Sequence, residues 1–248
     1  MNDISKDKID ITMTAVLRPL LLSHTLISIK EKICRGDTSR YRLIINVDPI
    51  GEDVDQLKVI KTAKKNFDNV VYNLPDKPSF PHAVRWVWSK VEAPYVFHIE
   101  DDWSFSREID VDHMINILKS HKDLSSLRLY KYKTPTSKTI FTFACKWHYH
   151  KEGFYLAADW KKQFGLNPIL IKKEFIDQAL PHMRDDTNPE KQFRYSREYM
   201  RPIIKKWKYG IYSKPGDEAA VVDIGRKWIN NTNFCKPKEG TFLTWETK

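Results

Sequence analysis

Apolar and polar residues follow two alternating periodicities along the amino-terminal part of the chain. Short β-rich apolar runs predict strands, and the segments between them have the spacing of amphipathic helices. Strands that alternate with helices predict a parallel, right-handed, doubly wound sheet. In chain order we predict strands at 9–16, 41–47, 69–74 and 95–99 and helices at 20–33, 54–66 and 80–91.

The pattern is less regular after the fourth predicted strand. The segment 134–163 is rich in aromatic residues and predicts irregular structure. Asn188 and Pro189 have the residue types of a helix cap and a first helical position, and predict a helix that runs to about Trp207. The other predicted elements are helices at 111–119 and 173–180 and strands at 126–132, 167–171 and 220–224.

Composition indicates a globular protein in a reducing compartment. The chain has 248 residues, of which 41% are hydrophobic, so it can bury a substantial core as one domain. Its three cysteines are odd in number and far apart, which favours neither a disulfide framework nor a zinc site. The amino terminus is polar, and Arg18 and Pro19 interrupt the apolar stretch 15–29. We therefore expect a soluble cytoplasmic protein without a membrane span.

The strongest candidate for chemistry is the acidic triplet Glu100-Asp101-Asp102. It follows the apolar run Tyr95-Val96-Phe97-His98-Ile99, which reads as a buried strand. Three adjacent carboxylates repel one another, and Mg²⁺ or Mn²⁺ would offset that repulsion while keeping positions open for phosphate. A solvated acidic turn is the alternative. The position favours a site, since ligands of open α/β sheets bind at the carboxyl ends of the strands.

Two more polar residues follow predicted strands. Arg18 comes after the first strand and could contact a nucleotide or be a surface arginine. Asp48 comes after the second strand and could accept a hydrogen bond from uracil or ribose, or cap an Asp-Pro turn. Neither glycine-rich phosphate-loop motif occurs, which argues against dinucleotide-dependent dehydrogenases and P-loop NTPases. A bound diphosphate would therefore need another source of positive charge, such as a metal ion.

Arg18, Asp48 and the acidic triplet, in that order on successive strand ends, resemble the GT-A fold of nucleotide-sugar-dependent glycosyltransferases. The resemblance covers residues 9–103, and the triplet stands where that family has its metal-binding DxD motif, with glutamate first. It implies a mixed α/β sheet flanked by helices, with a nucleotide-binding half at 1–103 and an acceptor-binding half at 104–248 of a single domain. It further implies a UDP-sugar donor, a metal held by Asp102, and contacts from Glu100 or Asp101 to the ribose or a metal-bound water.

A second stretch, Val221-Val222-Asp223-Ile224-Gly225, resembles the carboxy-terminal segment in which many GT-A enzymes supply a further metal ligand. That ligand is usually a histidine before an Ile-Gly pair, and this chain has Asp223 there. The resemblance implies that Asp223 ligates the metal and that Arg226 and Lys227 help to hold the diphosphate. A plain edge strand followed by a basic turn is the alternative.

The catalytic base of an inverting transfer should be a carboxylate beyond the acidic triplet. Asp185, Asp186 and Glu190 are the candidates, with Asp159 a fourth, and the sequence does not choose among them. Glu190 would also complement the dipole of a helix that begins at Pro189. His148 and His150 form an HxH pattern with no third ligand at useful spacing, which favours aromatic packing over metal binding.

The positive charge points to a polyanionic partner. Lys and Arg number 42 against 32 Asp and Glu, a net charge of +10. On the predicted helix, Arg194, Arg197 and Arg201 share one face that could contact a phosphate backbone, or simply be solvated. Lys205 and Lys206 follow them, and we therefore expect duplex DNA to bind here.

The compact build and basic second half are similar to phage enzymes that glycosylate hydroxymethylated cytosines in DNA. That resemblance implies an acceptor base flipped into the aromatic region. A glycosyltransferase that builds a surface or capsid glycan is one alternative, and a non-catalytic nucleic-acid-binding protein is another.

Overall fold

Four parallel strands form the first half of the central sheet, which confirms the doubly wound prediction. The computed structural model describes residues 7–159, 164–194, 196–235 and 246–247. The helices between the strands are also close to their predicted positions. In chain order these elements are β1 (Ile9–Leu17), α1 (Pro19–Lys32), β2 (Tyr41–Gly51), α2 (Gln56–Lys64), β3 (Val70–Asn73), α3 (Phe80–Ser89) and β4 (Tyr95–Glu100).

Side chains of these strands alternate between two hydrophobic clusters, one on each face of the sheet. Ile11 and Met13 of β1 pack in the cluster that contains the buried side of α1 and α2. Ile44 and Val96 pack in the other cluster, with Val84 of α3. Because both faces are covered, the carboxyl edge of these strands remains the exposed side of the sheet where polar residues collect.

β2 is longer than predicted, and Asp48 lies inside it rather than in a turn. The expected end at Asp48-Pro49 is wrong because β2 continues to Gly51 alongside β1, where the register shifts and Leu17 pairs with Gly51. Gly51 has a φ of 139°, and a Cβ there would be 2.5 Å from the Leu17 carbonyl oxygen. Glycine therefore permits this close approach, and the strand pairing overrides the turn signal.

The second half extends the same sheet with mixed strand directions. The strands and helices that follow β4 include β5 (Trp103–Phe105), α4 (Val111–Ser120), β6 (Leu124–Leu129), β7 (Thr139–Thr142), β8 (Cys145–His150), β9 (Phe154–Ala157), β10 (Ile169–Lys172), α5 (Lys173–Ala179) and β11 (Lys208–Tyr212). All of these strands except β5 join the large sheet, whose order is β3-β2-β1-β4-β10-β6-β11-β9-β8-β7. In it β10 is antiparallel to both β4 and β6, so β6 runs in the same direction as β4, and β11 is parallel to β6.

The prediction of irregular structure for 134–163 is wrong for the part from Thr139 to Ala157, which contains three strands. β7, β8 and β9 form an antiparallel meander that completes one end of the sheet. Along β8, Cys145 and Trp147 are buried while Lys146 and His148 are exposed, which is the period-two alternation of a half-buried strand. That alternation was present in the sequence, but its buried positions are aromatic or cysteine rather than aliphatic. Residues 160–163 lie outside the described residues.

The predicted helix from Asn188 to Trp207 is also wrong. Asn188 and Pro189 do cap a helix as expected, but that helix, α6 (Pro189–Gln192), is a single turn. Gln192 turns its side chain back to the carbonyl groups of Arg184 and Thr187. A new helix, α7 (Arg201–Lys206), has Pro202 in its first turn. Proline is tolerated there, but it would interrupt a helix that continued from Pro189. The basic face expected on this helix therefore does not form.

The carboxy-terminal part contributes a small second sheet beside the carboxyl edge. β12 (Val221–Asp223) pairs antiparallel with β5, and α8 (Gly225–Asn230) follows it directly. β13 (Phe234–Cys235) and β14 (Glu246–Thr247) form a further two-stranded pair. Within the described residues, every helix is too short or too polar to span a membrane.

His98, in the centre of β4, is a buried neutral histidine. Its side chain is fully inaccessible, and its Nδ1 lies 2.9 Å from the Thr12 hydroxyl and accepts a hydrogen bond from the Trp88 indole at 3.3 Å. Burial lowers the pKa of His98 from 6.5 to about 3. Below pH 6.5 the unfolded chain therefore binds a proton at His98, whereas His98 in the folded protein stays neutral.

We expect the unfolding free energy to fall as the pH drops below 6.5, and His98→Gln to flatten that dependence. Near pH 5 the contribution of this one group should be about 2 kcal/mol. Urea unfolding of both proteins between pH 7 and pH 4 measures it. His24→Gln, the same exchange at an exposed position, is the control. Equal acid sensitivity of wild type and His98→Gln would contradict a neutral buried His98.

Candidate active site at the carboxyl edge of the sheet

A buried ion pair joins the ends of β1 and β4. Arg18 is 2% exposed and Asp101 is 1% exposed. Arg18 donates from Nε to Asp101 Oδ2 at 3.0 Å and from Nη2 to Oδ1, so the pair is bidentate. The backbone N–H of Val16 also donates to Oδ2, at 3.1 Å. Both oxygens of Asp101 are therefore used to hold the two strand ends together.

Asp102 shares the same guanidinium group. Its Oδ2 lies 3.0 Å from Arg18 Nη2, and its side chain is largely buried. Burial alone would lower the pKa of Arg18, but the charges of Asp101 and Asp102 and the hydrogen bond to Asp101 raise that pKa well above its usual value. Arg18 thus interacts with both aspartates and, more weakly, with the charge of Glu100. One positive charge faces three carboxylates, so the cluster has a net negative charge.

The carboxy-terminal segment brings Asp223 to the same place. Asp223 pairs with Trp103 in the β5–β12 sheet, and the N–H of Ile224 donates to the Asp102 carbonyl at 2.9 Å. The N–H of Gly225 donates to Asp223 Oδ1 at 3.1 Å, while a Cβ on Gly225 would lie 2.2 Å from Asp102 Oδ2. Gly225 therefore sits between the two carboxylates that the sequence proposed as metal ligands.

α8 closes the site over Arg18. The ring of Trp228 lies 5.2 Å from the Arg18 guanidinium carbon, and its indole N–H donates to Glu52 Oε1 at 3.0 Å. Arg18 Nη1 is buried and has no hydrogen-bond partner among the residues that the structure describes. Trp228 and Glu52 were not found from sequence, because a tryptophan after a basic turn and a glutamate after a strand have no distinguishing pattern.

The remaining predicted donor contacts have different surroundings. Arg226 donates to Asp223 Oδ2 at 3.2 Å from an exposed position, and Lys227 is exposed beside it on α8. Glu100 is half-buried at the end of β4. Arg226 and Lys227 are thus beside Asp223 on α8, and Glu100 directly precedes Asp101.

Asp48 is buried at the same edge, between protein donors. Asn46 donates to its Oδ1 at 2.8 Å, and the N–H of Ser79, which caps α3, donates to its Oδ2 at 3.0 Å. Burial raises the pKa of Asp48 to about 6. The alternative role, capping an Asp-Pro turn, is wrong, because Asp48 is a strand residue that binds the start of α3 instead.

The donor atoms at the edge suit a hard divalent cation that is completed by phosphate. Both oxygens of Asp101 accept hydrogen bonds from Arg18, whereas Asp102 meets Arg18 through Oδ2 and stands next to Asp223 at Gly225. Mg²⁺ is commonly bound by one or two carboxylates together with substrate phosphates, so two ligands are sufficient. Within the described part of the chain, the acids of this edge form no group of three with ligand atoms mutually within 4.8 Å.

The three-ligand group that does occur lies elsewhere and includes His150. His121, His150 and Glu152 have ligand atoms within 4.8 Å of one another. His121 Nε2 is 2.8 Å from Glu152 Oε2, and both histidine rings pack on Phe154. Sequence spacing does not reveal this group, because His121 comes from the end of α4, about thirty residues before His150, and His148 is not part of it. The hydrogen bond and the ring packing hold the three side chains together.

The four candidate bases are separated by the fold. Asp185 is exposed and pairs with Arg85 at 2.8 Å, Asp186 accepts a hydrogen bond from the Thr187 hydroxyl, and Asp159 is exposed after β9. Glu190 lines a cavity of about 450 Å³, and its Oε1 accepts from the N–H of Leu166 at 2.8 Å. Of these carboxylates, Glu190 alone lines that cavity.

The cavity opens at the same edge of the sheet as the acidic cluster. Ile169 of β10 pairs with His98 of β4 on one side and with Arg128 of β6 on the other. Arg128 is therefore level with His98, two residues before the end of β4. Lys131 lines the cavity, and its Nζ is 6.0 Å from the ring centre of Trp103, which follows Asp102 in the chain. Lys131 therefore lies near both the cavity and the residue that follows the acidic triplet.

The basic residues proposed to contact DNA do not share one helix face, because the long helix expected there is absent. Arg194 lines the cavity, Arg197 precedes a short 3-10 turn, and Arg201 begins α7, where it pairs with Glu198 at 3.4 Å. Lys206, beside Lys205 on α7, lies 3.7 Å from Glu174. DNA binding stays a prediction from net charge, and it has lost the helix face on which it depended.

The fold is shared with solved nucleotide-sugar enzymes. No family model and no curated protein sequence matches this chain. A mannosyltransferase from Pyrobaculum calidifontis, in complex with GDP-Man and Mn²⁺, aligns with a TM-score of 0.58 at 10% identity, over 86% of this chain and 56% of that one. Staphylococcus aureus TarS 1–349 aligns at 0.54 and 10% identity, over 86% and 59%, and is also solved with UDP-GlcNAc.

A third solved structure is a nucleotidyltransferase of similar size. CMP:2-keto-3-deoxy-manno-octonic acid synthetase, complexed with CTP, aligns with a TM-score of 0.52 at 13% identity over 90% of this chain and 96% of that one. This chain thus spans just over half of the two glycosyltransferase chains and nearly the whole of the synthetase. The likeness establishes the GT-A-like, mixed α/β fold expected from the sequence, and identities this low carry no further conclusion.

Gly225→Ala should displace the Asp102 carboxylate. Alanine is favoured over glycine inside helices, so α8 should tolerate it, but the new Cβ collides with Asp102 Oδ2. We expect the Mn²⁺ affinity, measured by titration calorimetry, to fall about 10- to 100-fold, while the protein stays folded with a melting temperature lowered by about 2 to 4 °C for each kcal/mol of the resulting strain. Asn230→Ala in the same helix is the matched control. Unchanged Mn²⁺ affinity in Gly225→Ala would show that Asp102 is not held against Gly225 in a metal site.

Proposed function

We propose that this protein is a metal-dependent glycosyltransferase that moves a sugar from a nucleotide diphosphate donor to an acceptor hydroxyl. The observation that carries the proposal is the meeting of Asp102 and Asp223 on either side of Gly225, next to buried Arg18. The two carboxylates come from distant parts of the chain and converge at the edge where α/β sheets bind ligands. The GT-A-like fold supports this interpretation.

Asp102 and Asp223 would hold Mn²⁺ or Mg²⁺, with Asp102 the principal ligand. Bound there, the cation would supply charge neutralisation for the departing nucleoside diphosphate. Arg18 has a buried Nη1 with no partner among the described residues, and we assign it to a phosphate oxygen of the donor. Arg226 and Lys227 are assigned to the outer side of the diphosphate. Each of these groups binds the leaving group rather than the sugar.

The ribose and the base would be held by the amino-terminal strands. Glu100 is assigned to the ribose or to a water, since Asp101 is committed to Arg18 through both oxygens. Asp48 is assigned to the uracil or ribose side of the donor. The raised pKa of Asp48, about 6, leaves it an ionised acceptor at neutral pH.

Glu190 is the base that the geometry favours. It lines the cavity at the same edge and is anchored through Oε1 to the N–H of Leu166. In the reaction, the acceptor oxygen forms a bond to the anomeric carbon as the bond to the diphosphate breaks, and the hydroxyl proton passes to the carboxylate. Asp185, held by Arg85, and Asp186, held by Thr187, stay weaker candidates.

Nucleotidyl transfer is the second candidate function, because the synthetase matches over almost its whole length. In that reaction a nucleoside triphosphate and a sugar would yield a nucleotide sugar and pyrophosphate. The same cation site would then hold a triphosphate. Product analysis separates the two functions, since only glycosyl transfer releases a free nucleoside diphosphate.

Asp102→Asn should abolish transfer and leave the fold intact, because it removes an anionic ligand from the metal site. We expect the rate of nucleoside diphosphate release to fall by at least about a hundredfold, equivalent to about 3 kcal/mol. The assay uses Mn²⁺ and a panel of nucleotide sugars, and excess EDTA should have a similar effect. Asp177→Asn, the same exchange in an exposed ion pair on α5, is the control. Full activity in Asp102→Asn or in EDTA would refute the metal-dependent mechanism.

We expect the donor to be a UDP-sugar, because Asp48 at the β2 edge can accept a hydrogen bond from uracil or ribose and because the chain resembles GT-A enzymes. Calorimetric titration with UDP, GDP and CDP in Mn²⁺ measures the preference. Proteins of this fold are solved with GDP-Man, UDP-GlcNAc and CTP, so the fold alone does not decide it. Tighter binding of GDP than of UDP would mean that this edge recognises a purine.

The acceptor is proposed as a hydroxyl of a glycan or of hydroxymethylcytosine in DNA. With the basic helix face absent, the glycan is the better supported of the two. Transfer to hydroxymethylcytosine DNA but not to unmodified DNA would reverse that order.

A further inference from the structure

A second group of metal-ligating side chains, separate from the acidic triplet and Asp223, lies where the end of α4 meets the β8–β9 hairpin. It consists of His121, His150 and Glu152, whose ligand atoms are all within 4.8 Å of one another. The three residues are partly exposed, so an ion and water can reach them. Two imidazoles and one carboxylate are a donor set that proteins use for Zn²⁺ with a fourth position left open.

The end of α4 fixes the position of His121. Its N–H donates to the carbonyl of Ile117 at 3.1 Å and closes the helix. Its own carbonyl accepts from the N–H of Leu124 at 3.1 Å and from Lys172 Nζ at 2.7 Å. With its backbone held on both sides, His121 Nε2 lies 2.8 Å from Glu152 Oε2. This hydrogen bond lowers the pKa of Glu152, so its carboxylate is ionised at neutral pH.

The turn of the hairpin places Glu152 beside His150. His150 pairs with Phe154 across the loop 151–153, and the N–H of Gly153 donates to the His150 carbonyl at 3.0 Å. Gly153 has a φ of 93°, as expected for a three-residue hairpin loop that ends in a left-handed residue. The N–H of Glu152 is 3.5 Å from His150 Nδ1, which is long for a hydrogen bond and costs little to give up.

Phe154 forms an apolar floor under both histidine rings. It is fully buried, and its ring centre is 5.4 Å from that of His121 and 4.9 Å from that of His150. The two imidazoles meet edge to face, with ring centres 5.0 Å apart and an interplanar angle of 88°. The packing brings the ligand atoms together in advance, so an ion that binds has few side chains to order.

The geometry needs only a small adjustment to accept an ion. Ligand atoms lie about 2.0 to 2.2 Å from Zn²⁺, so two ligands of a tetrahedral ion are about 3.3 Å apart. The 2.8 Å hydrogen bond between His121 and Glu152 must therefore lengthen by about half an ångström. Rotation of either exposed side chain supplies this distance.

The donor atoms also decide which cation binds. Imidazole nitrogens suit Zn²⁺, whereas carboxylates and water suit Mg²⁺ and Mn²⁺. Asp102 and Asp223 offer only oxygen atoms, while two of the three ligands here are histidines. The two groups should therefore select different ions.

We infer that His121, His150 and Glu152 bind a Zn²⁺ ion that fastens the β8–β9 hairpin to the end of α4, with water at the fourth position. The segment between the first two ligands contains β6, β7 and most of β8. An ion bound only by the folded chain stabilises this end of the sheet. The inference does not depend on the proposed function, because its ligands are not among the residues assigned to the donor or the base.

The test is calorimetric titration of Zn²⁺ and Mn²⁺ into wild type and into Asp102→Asn, which lacks an anionic ligand at the sheet edge. Both proteins should have the same Zn²⁺ site. In Asp102→Asn, Zn²⁺ should bind at least about a hundredfold more tightly than Mn²⁺. Loss of the Zn²⁺ site in Asp102→Asn would place the ion at the sheet edge and overturn the inference.

Substitution of the ligands locates the ion. Glu152→Gln keeps a hydrogen-bond partner for His121 but removes the anionic ligand, and His150→Gln removes an imidazole. Each should lower the Zn²⁺ affinity at least about tenfold. His148→Gln, the same exchange two residues earlier on β8 at an exposed position outside the group, is the control and should bind Zn²⁺ normally.

Two outcomes of these substitutions would contradict the assignment. Equal Zn²⁺ affinity in wild type, Glu152→Gln and His150→Gln would mean that the ion binds elsewhere. An equal loss in His148→Gln and His150→Gln, with Glu152→Gln unaffected, would assign the ion to the two histidines of the strand alone.

Thermal unfolding gives an independent readout. Zn²⁺ at about a hundredfold excess over its dissociation constant should raise the melting temperature of wild type by about 5 to 10 °C. Glu152→Gln should abolish that rise, yet melt within about 2 °C of wild type in EDTA, because its hydrogen bond to His121 is kept. An undiminished rise in Glu152→Gln would refute its role as a ligand.

Discussion

The bidentate ion pair between Arg18 and Asp101 is the interaction on which the edge of the sheet depends. It joins the ends of β1 and β4, and Val16 and Thr25 add further hydrogen bonds to Asp101. A buried pair of this kind is costly to desolvate and adds little net stability, but the removal of one partner leaves an uncompensated buried charge. The main effect of this ion pair is to fix the positions of the two strand ends relative to each other. With Asp101 neutralised, Asp102 can point towards Gly225 and Asp223 without the full repulsion of three adjacent carboxylates.

The rest of the site follows from the topology of the sheet. β10 lies between β4 and β6 in the sheet and is antiparallel to both. β4 and β6 therefore run in the same direction. The cavity at the end of β6 and the aspartates after β4 therefore share one edge. Charge is unevenly distributed along that edge, with the acidic triplet after β4 and Arg128 and Lys131 in the cavity lining at the end of β6.

Much of the fold and half of the site were accessible from sequence, for identifiable reasons. The first four strands have aliphatic runs, and the acidic triplet and Asp223 stand at strand ends, where local patterning is strong. The sequence does not mark β8 as a strand, because its buried positions are Trp147 and Cys145 rather than aliphatic residues. The pattern overpredicts the helix from Asn188 to Trp207, because Pro202 starts a new helix there. Glu52, Trp228 and Arg128 are determined by tertiary contacts, and no local pattern marks them.

The pairing of β5 with β12 also determines how much of the chain is needed to bring Asp102 and Asp223 together. Asp101 and Asp102 pair with Arg18, so this contact lies within the first four strands and the helices between them. Asp223, Gly225 and Trp228 lie beyond β11 in the chain. A chain truncated before β12 would therefore have the adjacent carboxylates of the triplet without Asp223 and Gly225 beside them.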